Sequence, residues 1–235
     1  MKDAKGFTLV ELMIAVGVAM GLLTAIYMAV NSMQRHSSSI ERKVTAQQDL
    51  KPALDLMAME IGMVSYNPTF ATDLWVNPAG TCMAAAANQN YRGIQEATAN
   101  SLVVEMDISG SAGGDGDGML GDPNEVIRYN YDTVNQYITR ETNCGGGQPF
   151  LGDTVASGRP RTVRVINNTL GIPVFRYYDG NGVEIASAGL PAEIPNIRRI
   201  EIVLAVETES IDDNTGQRRR LIYSTSVIPR NHAIQ

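Results

Sequence analysis

The chain has 235 residues, with 25 Asp and Glu against 19 Lys and Arg, and a formal charge of -6. That balance disfavours a protein that holds nucleic acid by neutralising phosphates, which needs clustered Lys and Arg. The only histidines, His36 and His232, lie at opposite ends of the chain and show no zinc-ligand spacing with its two cysteines.

The N-terminus reads Lys5-Gly6-Phe7-Thr8-Leu9-Val10-Glu11, a short charged leader ahead of a long apolar run with one acid near its start. No charged side chain occurs from Leu12 to Val30. At about 1.5 Å per helical residue, the run from Phe7 covers a hydrocarbon core of roughly 30 Å. A lone carboxylate at that depth costs ~3 kcal/mol or more, so Glu11 needs a partner, a water-filled route or a proton. Gly17 and Gly21 form a Gly-x-x-x-Gly pair, and Ala15, Ala19, Ala25 and Ala29 keep other parts of the surface narrow, which suits close packing on other helices. A cleaved secretory signal would have a shorter apolar region followed by a small-x-small site, whereas here the polar break falls at Asn31-Ser32.

Beyond the span, Ile40, Val44, Leu50, Leu54, Met57, Ile61 and Val64 recur at helical spacing and predict an apolar stripe, with Met57, Met59 and Met63 as core filler. Pro52 interrupts the ladder, so the helix either kinks there or restarts near Asp49 or Lys51. The pattern favours one long, bent helix from Phe7 to about Met63. After Asn67-Pro68 the composition turns to short runs rich in Val, Ile, Tyr and Thr between Gly, Asn, Asp and Pro clusters. Expected strands are 102–108, 125–131, 136–141, 163–166, 173–178, 197–206 and 221–228. Asp132 to Asn135, Asp179 to Gly182 and Asp212 to Gly216 read as turns. The fold class is α+β: a leader at 1–6, a membrane-spanning half-helix at 7–30, an amphipathic half at 31–66, and an antiparallel β-sheet domain at 67–235 packed on that second half.

Two features carry chemistry. Asp107, Asp115, Asp117, Asp122 and Glu125 lie in one Gly-rich loop with no Lys, Arg or His between them. Hard oxygen ligands on a backbone that turns tightly at Gly113, Gly114, Gly116 and Gly118 suit calcium. The loop is no EF-hand: with Asp117-Gly118 at its fifth and sixth positions, Gly113 falls where the first Asp belongs and Asn124 where the bidentate Glu belongs. The alternative is a solvated acidic loop. Arg218-Arg219-Arg220 sits beside Asp212-Asp213 and Glu207-Glu209 and reads as a charged hairpin tip rather than a DNA site. No catalytic constellation appears. His36 and His232 have no nucleophile-elbow sequence to serve, Gly145-Gly146-Gly147 lacks the Lys-Ser/Thr of a phosphate loop, and nothing hydrophobic near the paired acids would raise a glycosidase pKa.

Gly6-Phe7-Thr8-Leu9-Val10-Glu11 resembles the class III signal of type IV prepilins and type II secretion pseudopilins. The resemblance implies that a prepilin peptidase cuts between Gly6 and Phe7 on the cytoplasmic side, that Phe7 becomes the N-methylated first residue, and that Glu11 pairs with its ammonium or a neighbour's. Cleavage would delete two Lys and one Asp, taking the formal charge from -6 to -7 before the new ammonium is counted. Many major pilins carry a proline in the second half of this span, and this chain has none there. Asn124 to Tyr129, Phe175 to Gly182, Ile197 to Ile200 and Pro229-Arg230-Asn231 together are similar to minor pilins of the PilW type, relatives of the J-type pseudopilins, which are associated with calcium. The implied protein is not an enzyme. It is a minor pilin in the priming, assembly or tip structure of a type IV pilus, with other minor pilins, the major pilin and the inner-membrane assembly platform as partners. It would sit in the inner membrane with a periplasmic domain and then in the pilus. The alternatives are a type II secretion minor pseudopilin and, from another class, a membrane-tethered adhesin or ligand-binding module. In an oxidising periplasm Cys82 and Cys144 could close a loop of about 60 residues, worth on the order of 4 kcal/mol; two separate buried thiols are the alternative.

Overall fold

The computed structural model describes residues 6, 8–76, 88–110, 114–152, 161–186, 189–190, 192–212 and 214–233. Its first element, α1 (Leu9–Gly62), is a single α-helix of 54 residues with Pro52 inside it, so no fresh helix begins there. Pro52 takes the hydrogen-bond partner from the Gln48 carbonyl, but both residues are exposed, which leaves that carbonyl on the solvent side.

Burial on α1 starts at Ser39 and continues through Ala46, Leu50, Ala53, Leu54, Met57, Glu60 and Ile61. This stripe is narrower than the sequence suggested. Ile40 and Val44 are 63% and 42% exposed and Met59 is 56% exposed. At about 100° per residue, Ile40 lies a quarter-turn from Ser39, and Met59 lies on the far side of the helix from Met57.

The stripe rests on an antiparallel β structure. The first sheet runs in the order β1 (Ile94–Ala97), β2 (Ser101–Glu105), β3 (Val126–Asp132), β4 (Tyr137–Thr142) and β5 (Gln148–Leu151). In the second, the long β8 (Arg199–Thr208) pairs with β6 (Val163–Val165), β7 (Phe175–Tyr178) and β9 (Arg220–Val227). A short α2 (Asn167–Leu170) links β6 to β7. Helix α1 packs on β8 and β9, and one apolar cluster joins α1 to both sheets. The expected α+β architecture is present. Strands β1 and β5 were not expected. Both are edge strands, which need little β propensity, and Pro149 is tolerated at such an edge because its missing N–H costs no central ladder bond. The turns follow Asx logic: Asp132 Oδ1 accepts from the N–H groups of Val134 and Asn135 at 2.9 and 2.8 Å, and Asp179 Oδ1 from those of Asn181 and Val183 at 2.9 and 2.8 Å.

Buried polar groups fix the helix on the sheets. Glu60 on α1 takes a fork from Arg140 on β4, with Nη2 at 2.6 Å from Oε1 and Nε at 3.1 Å from Oε2, and it also accepts from the Tyr129 hydroxyl. Burial, followed by the neighbouring Glu60 charge, drives the Tyr129 phenol far above its ordinary value. Nearer the N-terminus, Ser39 donates to Asp212 Oδ2 at 2.9 Å and Arg42 donates to the Ile211 carbonyl. The backbone N–H of Asn214, then Arg219 and Ser39, hold the Asp212 carboxyl down at about 2. At the other end of α1, the buried His232 ring stands 2.9 Å from the carbonyl oxygens of both Arg92 and Ile194 and 3.1 Å from Ser65 Oγ. Burial pushes it below its ordinary value. Glu105, at the end of β2, is fully buried; its Oε1 has no hydrogen-bond partner among the described residues, and burial raises the carboxyl to about 8 against the weaker opposing effect of the Val76 N–H.

Two outcomes follow from these groups. Glu60→Ala strands the Arg140 guanidinium, and chemical denaturation of the full chain in detergent should register a loss of about 3 kcal/mol, against under about 0.5 kcal/mol for the exposed Glu41→Ala. Glu105 has a folded pKa of about 8 against an ordinary 4.5, so the folded state holds its proton more tightly than the unfolded chain does. Its stabilising contribution is complete below about 4.5 and disappears as pH rises through about 8. The lowered His232 acts in the opposite sense, losing stability as pH falls below about 6.5. Comparing wild type with Glu105→Gln isolates the first effect: between about pH 5 and pH 9 the variant should lose less stability than wild type, and parallel profiles would refute the assignment.

Candidate functional site

The N-terminal turn of α1 is built by a reciprocal pair. Thr8 is the N-cap, its Oγ1 accepting from the Glu11 N–H at 3.2 Å, while Glu11 Oε2 accepts from both the Thr8 N–H and the Thr8 hydroxyl at 2.9 Å. This capping box closes two of the donors that a helix start leaves open. The sequence reading gave Glu11 a role but missed Thr8. The spacing Thr8-x-x-Glu11 ahead of an apolar run was the available signal.

From Leu9 to Val30 every side chain is exposed, including Leu12, Ile14, Leu22, Leu23 and Ile26 at 59% or more. The stretch is apolar and long enough to cross a membrane, and none of it is buried against the rest of the chain. Thr24 satisfies its hydroxyl on the Met20 carbonyl at 2.8 Å. Gly17 and Gly21 have nothing within 4 Å of the space a Cβ would fill. A glycine inside a helix costs about 1 kcal/mol relative to alanine, and no contact among the described residues explains either one. Gly6 is equally open, while Phe7 lies outside the described residues.

The acidic loop does not gather its five carboxylates. Glu125 is fully buried and serves backbone: Oε1 accepts from the N–H groups of Ile108 and Ser109, both at 3.2 Å, and Oε2 from those of Gly121 and Asp122, both at 2.9 Å. Asp107 Oδ2 accepts from the Gly118 N–H at 2.8 Å, its Oδ1 is buried without a hydrogen-bond partner, and burial raises its carboxyl. Gly116 is required beside it, since a Cβ there would come within 2.2 Å of Oδ1. Asp117 turns onto the Met119 N–H at 3.1 Å, and Asp115 is exposed. Among the described residues no three His, Cys, Asp or Glu side chains come together as a metal cluster. The four N–H groups on Glu125 take up its acceptor directions, so this carboxylate serves the loop backbone. Gly113 and Cys82 lie outside the described residues, and Cys144 sits partly buried in the turn between β4 and β5, against the small cluster of Leu74, Trp75, Val76, Val103, Leu120 and Val126.

The Arg218 to Arg220 run is a hairpin tip entangled with acids. Arg219 Nε is 2.5 Å from Asp212 Oδ2, whereas Arg218 and Arg220 meet Glu207 and Glu209 only at 3.7 to 3.8 Å.

Comparison with known proteins agrees with the N-terminal geometry. Residues 1–27 match the family model for the prokaryotic N-terminal methylation motif. No curated protein and no solved structure matches the chain. The chain thus carries a prepilin-like N-terminus of the kind found on pilins and pseudopilins, which are structural subunits, and that motif implies a prepilin peptidase and a membrane-associated assembly machinery as partners.

Proposed function

We propose that this protein is a minor pilin, cut between Gly6 and Phe7 and assembled into the priming or tip complex of a type IV pilus from an inner-membrane, periplasm-facing precursor. One observation carries the reading: α1 is buried on its own sheets from Ser39 onward and bare from Leu9 to Val30, with two glycines that no contact among the described residues requires. A bare apolar half-helix is stable only in lipid or among other such helices. Gly17 and Gly21 then allow the backbone of a neighbouring subunit to approach.

Glu11 has two successive partners in this mechanism. Before cleavage its carboxylate is held by Thr8. After cleavage the Phe7 ammonium arises one residue from the Thr8 N–H that Glu11 already accepts, so the pair can form within one subunit by a small adjustment. Passing the carboxylate to a neighbour's ammonium would open the box and fix the axial register between the two helices. Charge pairing in low dielectric is strong enough to select register even where its net stability is small. The β-rich part then chooses among other minor subunits and the major pilin through its surface. In the periplasm, a Cys82 to Cys144 disulfide would tie the β4 to β5 turn to the segment after Val76.

Glu11→Ala should leave cleavage after Gly6 intact, as read by mass spectrometry of the mature N-terminus, while lowering surface pili and co-purification with other minor pilins at least about tenfold. Normal piliation in that variant would favour a tethered adhesin or ligand-binding module instead. The disulfide predicts that thiol labelling of the unfolded, unreduced protein finds no free cysteine, and that Cys144→Ser lowers stability by about 4 kcal/mol.

A further inference from the structure

We propose that the tip of the β8–β9 hairpin is a binding site for the phosphate of an anionic phospholipid in the leaflet from which the span emerges. This rests on the membrane-anchored reading of α1. The tip is tied to α1 just past the apolar stretch. Asn214 Nδ2 lies 3.4 Å from His36 Nδ1, Ser39 Oγ donates to Asp212 at 2.9 Å, and Arg42 donates to the Ile211 carbonyl. His36 is six residues and Arg42 twelve residues beyond Val30. At about 1.5 Å per residue the tip therefore stands roughly 9 to 18 Å above the end of the hydrocarbon core. The headgroup zone occupies the first 5 to 8 Å or so of that distance, and an extended arginine reaches it only from the lower part of the tip, near the level of His36.

The chemistry at the tip suits that height. Glu207, Ile211, Gly216, Gln217, Arg218 and Arg220 line a cleft of about 660 Å³. The Arg219 guanidinium is committed to Asp212 at 2.5 Å, but those of Arg218 and Arg220 stand 3.7 to 3.8 Å from their acids, beyond hydrogen-bond length, and the Arg220 side chain is 60% exposed. Two guanidinium groups with donors to spare fit a phosphodiester, whose oxygens accept the planar fork bidentately. Ile211, 52% exposed beside them, offers an apolar contact to the interface, and Arg35 and Lys43 on α1 add exposed positive charge nearby. The arginines share the tip with Glu207, Glu209 and Asp212, so the guanidinium donors that the acids leave unused, rather than a net positive charge, would carry the contact. Such a contact would hold the domain upright on the membrane while the subunit waits for assembly.

Hydrogen exchange of the full chain in lipid nanodiscs tests the proposal. Each basic residue near an anionic surface is worth roughly fivefold in partitioning, so amides at 207–220 should exchange at least about fivefold more slowly in discs containing phosphatidylglycerol than in phosphatidylcholine alone. The turn at Asp132 to Gln136 should not change. Arg218→Gln with Arg220→Gln should abolish the difference, and the single Arg220→Glu, on an exposed side chain, should do so if the double variant does not fold. Equal exchange in both lipids overturns the proposal, as does equal slowing by inorganic phosphate over phosphatidylcholine, which would make this a free-phosphate site. Slowing that requires an added pilin would assign the cleft to a protein neighbour instead. Failure of the chain to enter the discs at all would sink the anchor reading itself, a result distinct from entry without lipid discrimination.

Discussion

One helix lives in two surroundings, and the rest of the molecule is arranged around that constraint. Up to Val30, α1 has no packing partner among the described residues, and every face of it is apolar enough to meet lipid or another helix. From Ser39 it has one partner, the sheet pair, so only one stripe is apolar and the rest meets water. The helix runs through both halves without interruption, and the one carbonyl that Pro52 leaves without its N–H can face solvent.

That continuity makes the attachment of helix to sheet a matter of position along the axis as well as of burial. An apolar stripe alone would tolerate sliding by one helical turn. The Glu60, Arg140 and Tyr129 network and the Ser39, Asp212 and Arg219 network each require particular partners, so together they remove that freedom. Buried polar groups of this kind often add little net stability while selecting one geometry. Here the selected geometry sets the height of the β-rich part above the apolar stretch. The β8–β9 tip consequently stands level with His36 and Arg42 rather than farther along the helix.

The acidic loop illustrates how backbone needs can absorb side chains that look like ligands. Between Met106 and Val126 no strand among the described residues satisfies the N–H groups of Ile108, Ser109, Gly121 and Asp122, and Glu125 accepts from all four. A buried carboxylate with that many donors is spent on the loop it organises. Composition suggests a cation at such a place, whereas the hydrogen bonds supply a different explanation for the same residue.

Periodicity and local chemistry made much of this legible in advance. The long apolar half of α1, its continuation to about residue 62, seven of the strands and the Asx turns at Asp132 and Asp179 all follow from side chains within a few residues of one another. The Gly6 to Glu11 motif is also local, being carried by consecutive residues, and the match at residues 1–27 covers the same stretch. What failed depended on distance. Ile40, Val44 and Met59 fit a helical stripe by spacing, yet which arc of the helix is covered was decided by β8 and β9, and those strands cover the arc centred on Leu50, Met57 and Ile61. Strands β1 and β5 exist because β2 and β4 offer them free edges, with little help from their own sequences. The pairing of Glu60 with Arg140, the burial of Glu105 and the closeness of Asn214 to His36 join residues far apart in the chain, and only the packed sheets bring them together. The sequence by itself determined which segments could be helix, span or strand, because those preferences are local; tertiary structure decided which faces and charges met, because long-range burial is a property of the whole packing.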